Sequence, residues 1–175
     1  MKPSTALLAV YAAAVSAVDM KPYKPAPNVD AAFAEFVEEY YRTSEDKTAT
    51  TAFTNFWPPD GELVVADVRV TGSRDILGIK QALLPLDQDK TWHHLIRGAT
   101  VAGDTKESKT FVANIVIQTT YALDGCSQAY GNASFTILKD AEGVPRLTPH
   151  SESLSSYKLA VSTVESPTNI PCSSS

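Results

Sequence analysis

In "DAAFAEFVEEYYR" the apolar side chains Phe33, Phe36, Val37, Tyr40 and Tyr41 recur at helical spacing, and Asp30 is a suitable N-cap. A second helical stretch, "TATTAFTNFW", gathers Ala49, Ala52, Phe53, Phe56 and Trp57 on one side until Pro58 and Pro59 stop it. "GELVVADVRV" is rich in β-branched residues. "TGSRDILGIKQALLP" then returns to helical spacing through Ile76, Leu77, Ile79, Leu83 and Leu84, with Ser73 as its cap and Pro85 as its stop. Beyond Pro85 the period changes to two, in "WHHLIRGATVAG", "KTFVANIVIQTTYAL", "CSQAYGNASFTILKD" and "VPRLTPHSESLSSY". Asp124-Gly125 is a two-residue hairpin signal between two of these strands. About three N-terminal helices followed by a long, mainly antiparallel meander predict an α+β domain whose curved sheet wraps the helices.

The ends of the chain follow different patterns. "MKPSTALLAVYAAAVSAVDM" has a basic start at Lys2, an apolar run from Ala6 to Val15 and small residues at Ser16 and Ala17. This layout predicts a secretory signal peptide over 1–17, cleaved after Ala17. Read instead as a membrane anchor, the apolar run falls short of the roughly 20 residues a span needs. Residues 18–29 alternate proline with polar residues and read as an extended linker. The domain then covers 30–157, and 158–175 is a polar, proline-containing tail. With 175 residues and 43% apolar composition, the chain supports one core.

Charge narrows the partners. The formal net charge of −5 becomes −6 once Lys2 leaves with the leader, and no basic run offsets it. Nucleic acid and anionic membranes both need a clustered positive field, so neither is an expected partner. The two cysteines, Cys126 and Cys172, lie in the mature part of an exported chain and read first as a disulfide. It would close a loop of about 47 residues and staple the tail to a strand, a constraint worth about 4 kcal/mol by chain entropy. A reactive or metal-binding role is the weaker alternative, because neither cysteine has a second thiol or a histidine at ligand spacing.

Strand alternation indicates where chemistry could sit. In "KTFVANIVIQTTY" one face carries Phe111, Ala113, Ile115, Ile117 and Tyr121, and the other carries Val112, Asn114, Val116, Gln118 and Thr120. Amides among valines suggest a partly polar cavity wall, because buried amides need partners. The plainer reading is that Asn114 and Gln118 face solvent. If the amide face looked inward, the apolar face would lie outside and call for a homodimer through the sheet, whereas a monomer would favour the plainer reading. In the next strand Gln128, Tyr130, Asn132, Ser134 and Thr136 share a face opposite Ala129, Ala133, Phe135 and Ile137. Asn132-Ala133-Ser134 is also an N-glycosylation sequon, a use incompatible with a pocket wall.

In "TWHHLIRGATV" alternation separates Trp92, His94 and Ile96 from His93, Leu95 and Arg97, so one histidine of the pair can face a pocket. With this order of elements, Asp30 to Tyr157 resembles the nuclear transport factor 2-like superfamily, in its SnoaL-like and scytalone dehydratase-like branch. The resemblance implies a cone of helices against a strongly bent sheet with a pocket at its open end. It also implies dehydratase, isomerase, cyclase or epoxide hydrolase activity, or a noncatalytic binding role. In the dehydratase-like pattern the catalytic histidine precedes an aromatic or aliphatic residue, then isoleucine and glycine, and His94 before "LIRG" is similar to that position. The same pattern places a carboxylate from the first helix and a second histidine from the following strand beside it. An ungapped alignment puts Tyr40 and Gln118 at those two places, and Asn132 and Ser134 near a polar pair.

The resulting expectation is a secreted protein holding a small, mainly apolar organic molecule. It is either a cofactor-independent lyase, isomerase or cyclase using His94 as general acid or base, or a noncatalytic ligand-binding or interaction module. Tyr40, Asn114, Gln118, Ser134 and His150 are the expected substrate-binding residues. A metal site from His93, His94 and His150 is disfavoured, because adjacent strand residues point opposite ways. Nucleophile-elbow and phosphate-loop sequences are absent.

Overall fold

The computed structural model describes residues 18–121, 125–163 and 170–172. The proposed signal peptide, 1–17, lies outside the described residues. Seven strands and three helices follow in the order β1 (Lys24–Pro25), α1 (Phe33–Glu45), α2 (Thr51–Thr54), β2 (Glu62–Val65), β3 (Val68–Thr71), α3 (Ser73–Leu83), β4 (Lys90–Asp104), β5 (Ser108–Tyr121), β6 (Gly125–Leu138) and β7 (Leu154–Ser162). They form an α+β domain with one sheet, ordered β1-β4-β5-β6-β7-β2-β3. No described helix is long and apolar enough to cross a membrane.

Several boundaries differ from the sequence-based expectation, each for a local reason. The second helix shrinks to the single turn α2, in a stretch where Thr48, Thr50, Thr51 and Thr54 lower helix propensity ahead of the two prolines. The β2–β3 hairpin lies between α2 and α3, so the helices do not form one N-terminal block. Asp30 does not cap α1; its carboxylate accepts from Lys109 Nζ at 2.6 Å, tying the helix approach to β5. Ser73 is the first residue of α3, and Gly72, at φ 83°, makes the entry turn. Tyr121 pairs with Gly125, so the β5–β6 connection is longer than a two-residue turn, and Asp124 falls outside the described residues. The last strand begins only at Leu154 and runs to Ser162, past the expected limit at 157, because Leu159 continues the inward face begun by Tyr157.

The expected extended linker is instead folded back by two turns, closed by Tyr23 N to Met20 O and Val29 N to Ala26 O, each at 3.0 Å, and it is not free. Lys24 and Pro25 pair in parallel with Gly98 and Ala99 of β4, and Asp19 bridges Leu95. Val18 is 5% exposed and belongs to the core. β4 is otherwise an edge strand, and this segment takes up its open backbone groups.

The sheet buries its apolar face. Phe111, Ala113 and Ile115 of β5 and Ala133, Phe135 and Ile137 of β6 are buried beneath α1. Phe33 stacks on Phe111 with centroids 4.4 Å apart, and Phe36, Phe56 and Phe135 fill the space around them edge to face. At the other end of the same strands the facing residues shrink: Ile117 pairs with Ala129, and Thr119 with Ser127. Bulky rings fill one end of the sheet and leave space at the other.

Candidate functional site

That space is a cavity of about 230 Å³. Its walls come from the last turns of α1 (Tyr40, Tyr41, Ser44), from α3 (Ile79, Lys80, Leu83) and from the inward residues of β4 to β7, among them Trp92, His94, Ile117, Thr119 and Leu159. Most of the lining is apolar, and a few polar groups converge on it.

The central polar feature is a pair formed by His94 and Glu45. Glu45 is the last residue of α1, and its Oε1 lies 3.0 Å from His94 Nδ1. The same oxygen accepts the backbone N–H of His94 at 2.6 Å. The side chains are 4% and 6% exposed. A carboxylate can only accept, so Nδ1 carries the proton in this contact, leaving Nε2 as the second functional nitrogen. His94 lines the cavity, and its Nε2 has no protein partner among the described residues. Tyr41 stacks on the imidazole with centroids 4.4 Å apart, and Trp92 meets it edge-on. One carboxylate oxygen and two rings therefore hold the imidazole's orientation.

Two further groups add polarity. The hydroxyls of Tyr41 and Tyr157 are 3.1 Å apart. Burial pushes the phenols of Tyr40, Tyr41 and Tyr157 well above the ordinary tyrosine range, so all three are protonated hydrogen-bonding groups at neutral pH. Lys80 is 4% exposed; its Nζ donates to Asp46 O at 2.5 Å and Ala49 O at 2.7 Å, and lies over the Phe53 ring. Burial lowers its pKa from the ordinary lysine value. Its hydrogens are committed to tying α3 to the α1–α2 connection.

His94 and Tyr40 are the expected site residues that line this cavity. The amide face of β5 points away from it. Asn114 is exposed, and its Nδ2 donates to Asn132 Oδ1 at 2.6 Å. Gln118 is 1% exposed, yet what buries it is the C-terminal tail: its Nε2 donates to Pro171 O at 3.0 Å. Gln128 does the same to Ile170 O at 2.7 Å. The Cys126–Cys172 disulfide fixes the tail in this position, with the two Cα atoms 6.3 Å apart. Buried Gln118 and half-buried Gln128 thus donate to the tail and not into the cavity. Ser134, paired with Val112 and Lys158, lies on this outer face, as does Asn132 of the sequon. With the apolar face inside, the reason for expecting a dimer through the sheet falls away.

His150 is also elsewhere. It follows β6 at φ 60°, packs on Phe56, and its Nε2 lies 2.9 Å from Glu39 Oε1, in a shallow depression beside α1. Arg42 and His150 together hold the Glu39 carboxyl below its ordinary pKa, the hydrogen bond from Arg42 being the larger cause.

Glu45 is the residue missed by the sequence reading. A carboxylate from the first helix does meet His94, five positions beyond Tyr40, where an ungapped alignment could not place it. The signal was available: Glu45 follows Tyr41 by four residues, and so continues the buried face into one more helical turn. The place of the second histidine is not taken by Gln118. The residue paired with His94 across β5 is Ile117.

No family model matches the chain, and no curated protein matches it. Solved structures do. ActVI-ORFA from Streptomyces coelicolor superposes with a TM-score of 0.56 at 12% identity, covering 74% of this chain and 97% of that one. Nuclear transport factor 2 from Cryptosporidium parvum gives 0.56 at 15% identity over 78% and 96%. A protein from Catenulispora acidiphila in complex with S-DNPA gives 0.55 at 13% identity over 74% and 93%. The chain therefore has the nuclear transport factor 2-like fold. At these identities the likeness is one of fold, and the chemistry has to be argued from the cavity.

Proposed function

We propose that the cavity takes a small, mainly apolar organic molecule and that His94, oriented by Glu45, moves a proton on it. The observation that carries this reading is the buried Nδ1 contact to Glu45, which leaves Nε2 to an apolar cavity. An imidazole held this way can take a proton on Nε2 and return it, and Glu45 stabilises the imidazolium that forms. Low polarity around the pair strengthens the contact between imidazole and carboxylate. The reaction classes that fit are elimination, isomerisation and cyclisation without a cofactor, with the protonated phenols available to hydrogen-bond a substrate oxygen. The ligand in the Catenulispora acidiphila structure supports a small-molecule occupant. The site is taken to work outside the cell, after removal of residues 1–17, where the Cys126–Cys172 disulfide is favoured.

The second reading is a secreted carrier that keeps the cavity and performs no chemistry. It is favoured by Ile117 opposite His94, a position with no second base. Capture of ligands from a native extract, identified by mass spectrometry, separates the two. For the enzyme, the unaltered protein converts the captured compound, and His94→Gln binds it without turnover. Equal binding by both proteins, with no conversion by either, establishes the carrier.

A further inference from the structure

The carboxylate that orients His94 is only half satisfied. Glu45 Oε1 takes both contacts from His94, while Oε2 is buried with no hydrogen-bond partner among the described residues. A carboxylate 6% exposed with an orphan oxygen is costly unless a cation or a donor meets it. Nearby cations are committed elsewhere: Lys80 to the carbonyls of Asp46 and Ala49, and Arg42 to Glu39.

The register of the N-terminal segment indicates where a partner would come from. Asp19 N donates to His94 O at 3.1 Å, and Ile96 N donates to Asp19 O at 3.2 Å, which is a parallel ladder. Because Asp19 bridges Leu95 in parallel, Val18 lies opposite His94, and the two residues have their nitrogens at the same end. Glu45 Oε1 accepts the His94 N–H at that end, so this register turns the Val18 nitrogen toward the Glu45 carboxylate. Val18 itself is buried in the core, which anchors that nitrogen.

We infer that cleavage between Ala17 and Val18 turns the Val18 nitrogen into an α-ammonium that pairs with Glu45 Oε2, so that the mature amino terminus completes the His94–Glu45 cluster. In the cleavage, a leader endopeptidase adds water across the Ala17–Val18 amide. The C–N bond breaks, hydroxyl goes to the Ala17 carbonyl carbon and hydrogen to the Val18 nitrogen. The proton of the new carboxylic acid then moves to the amine, leaving a carboxylate on the leader and an ammonium on the protein. The uncleaved chain has an amide at this point and no charge to offer. The α-ammonium acts on the site through Glu45 and is a positioning group, which ties export of the chain to assembly of its polar centre. The inference concerns the same pair as the proposed reaction and holds for enzyme and carrier alike, so its failure is separable from theirs.

The test uses the full-length chain expressed with its own leader in a secreting host. Terminal sequencing of the secreted protein is expected to begin at Val18. Titration of the Val18 α-amine by NMR then reads the ion pair directly. Burial by itself lowers an amine pKa, whereas a paired carboxylate raises it. The titratable groups facing this point are Glu45 from α1, His94 from β4 and, stacked on His94, Tyr41. The expected result is a value above the ordinary α-amino range of about 7.7–8.0 that falls in Glu45→Gln. Should that variant fail to fold, a chain starting at Ala17 replaces it. Its amine should titrate in the ordinary range, and its Tm should fall by roughly 2–4 °C, the loss of about one kcal/mol in a chain of this size. A mature terminus other than Val18 overturns the inference. So does an α-amine value at or below the ordinary range, or one unchanged by Glu45→Gln.

Discussion

Glu45→Ala is the most informative single perturbation, because one carboxylate oxygen satisfies two donors of His94. Truncation leaves a buried backbone N–H and a buried ring N–H without an acceptor. Each unsatisfied donor costs about 1–3 kcal/mol. Water entering from the cavity can recover part of this for the ring nitrogen, but the backbone group lies at the closed edge between β4 and the Val18–Met20 segment. The expected loss is about 3–5 kcal/mol, the range for breaking a buried pair. Taken at its lower end, that lowers Tm by roughly 6–12 °C for a domain of this length. Glu45→Gln keeps an amide oxygen able to accept both contacts and gives up the charge, and with it the inferred pair to Val18, so its loss should be smaller than that of Glu45→Ala. Urea unfolding with an unchanged slope, checked by thermal melting, measures both variants. A stability of Glu45→Ala within about 0.5 kcal/mol of the parent would refute the reasoning. Equal losses for Ala and Gln would refute it too, because hydrogen bonding would not then be what Glu45 supplies.

Three further outcomes follow from the same geometry. Burial raises the phenols of Tyr40, Tyr41 and Tyr157 above their ordinary value of 10.0, so between that pH and the folded values the native state binds more protons than the unfolded state. Stability then falls as pH rises above about 10, by up to about 1.4 kcal/mol per pH unit for each phenol, and tyrosinate absorbance from these residues should appear with unfolding and not before it. Reducing Cys126–Cys172 should cost up to about 4 kcal/mol and free the tail from Gln118 and Gln128 while the sheet stays folded, so hydrogen exchange should rise at the outer face of β5 and β6 and not beneath α1. Ile117→Trp fills the cavity opposite His94 and should weaken ligand binding at least about tenfold, about 1.4 kcal/mol, whereas Asn114→Ala and Ser134→Ala on the outer face should leave titrated affinity unchanged.

The periodicity of the sequence carried much of this architecture. The helical spacing of Phe33, Phe36, Val37, Tyr40 and Tyr41 placed α1, and the inward face of β5 from Phe111 to Ile117 is the one the pattern had grouped, although Tyr121 at its end is exposed. Alternation also separated the neighbours His93 and His94, since a strand with one buried face allows only one of two adjacent side chains inside. Alternation cannot say which face is buried when both are mixed. On β5 the choice went to the face with Phe111 and Ile115, because the rings of α1 needed an apolar floor. The amides Gln118 and Gln128 found their acceptors instead in a tail held by the disulfide.

Local pattern, which depends on neighbours a few residues apart, thus determined the elements, their inward stripes and that one histidine of the His93–His94 pair could face a pocket. Only the tertiary structure decided what surrounds His94. Glu45 is 49 residues away in sequence, and the contact depends on where α1 ends relative to β4. Asp19 reaches the same point from the other side, through an edge pairing that no short-range pattern encodes. The cavity has the same origin, for it is the volume left where facing strands offer alanine and threonine, and that volume depends on the register between strands.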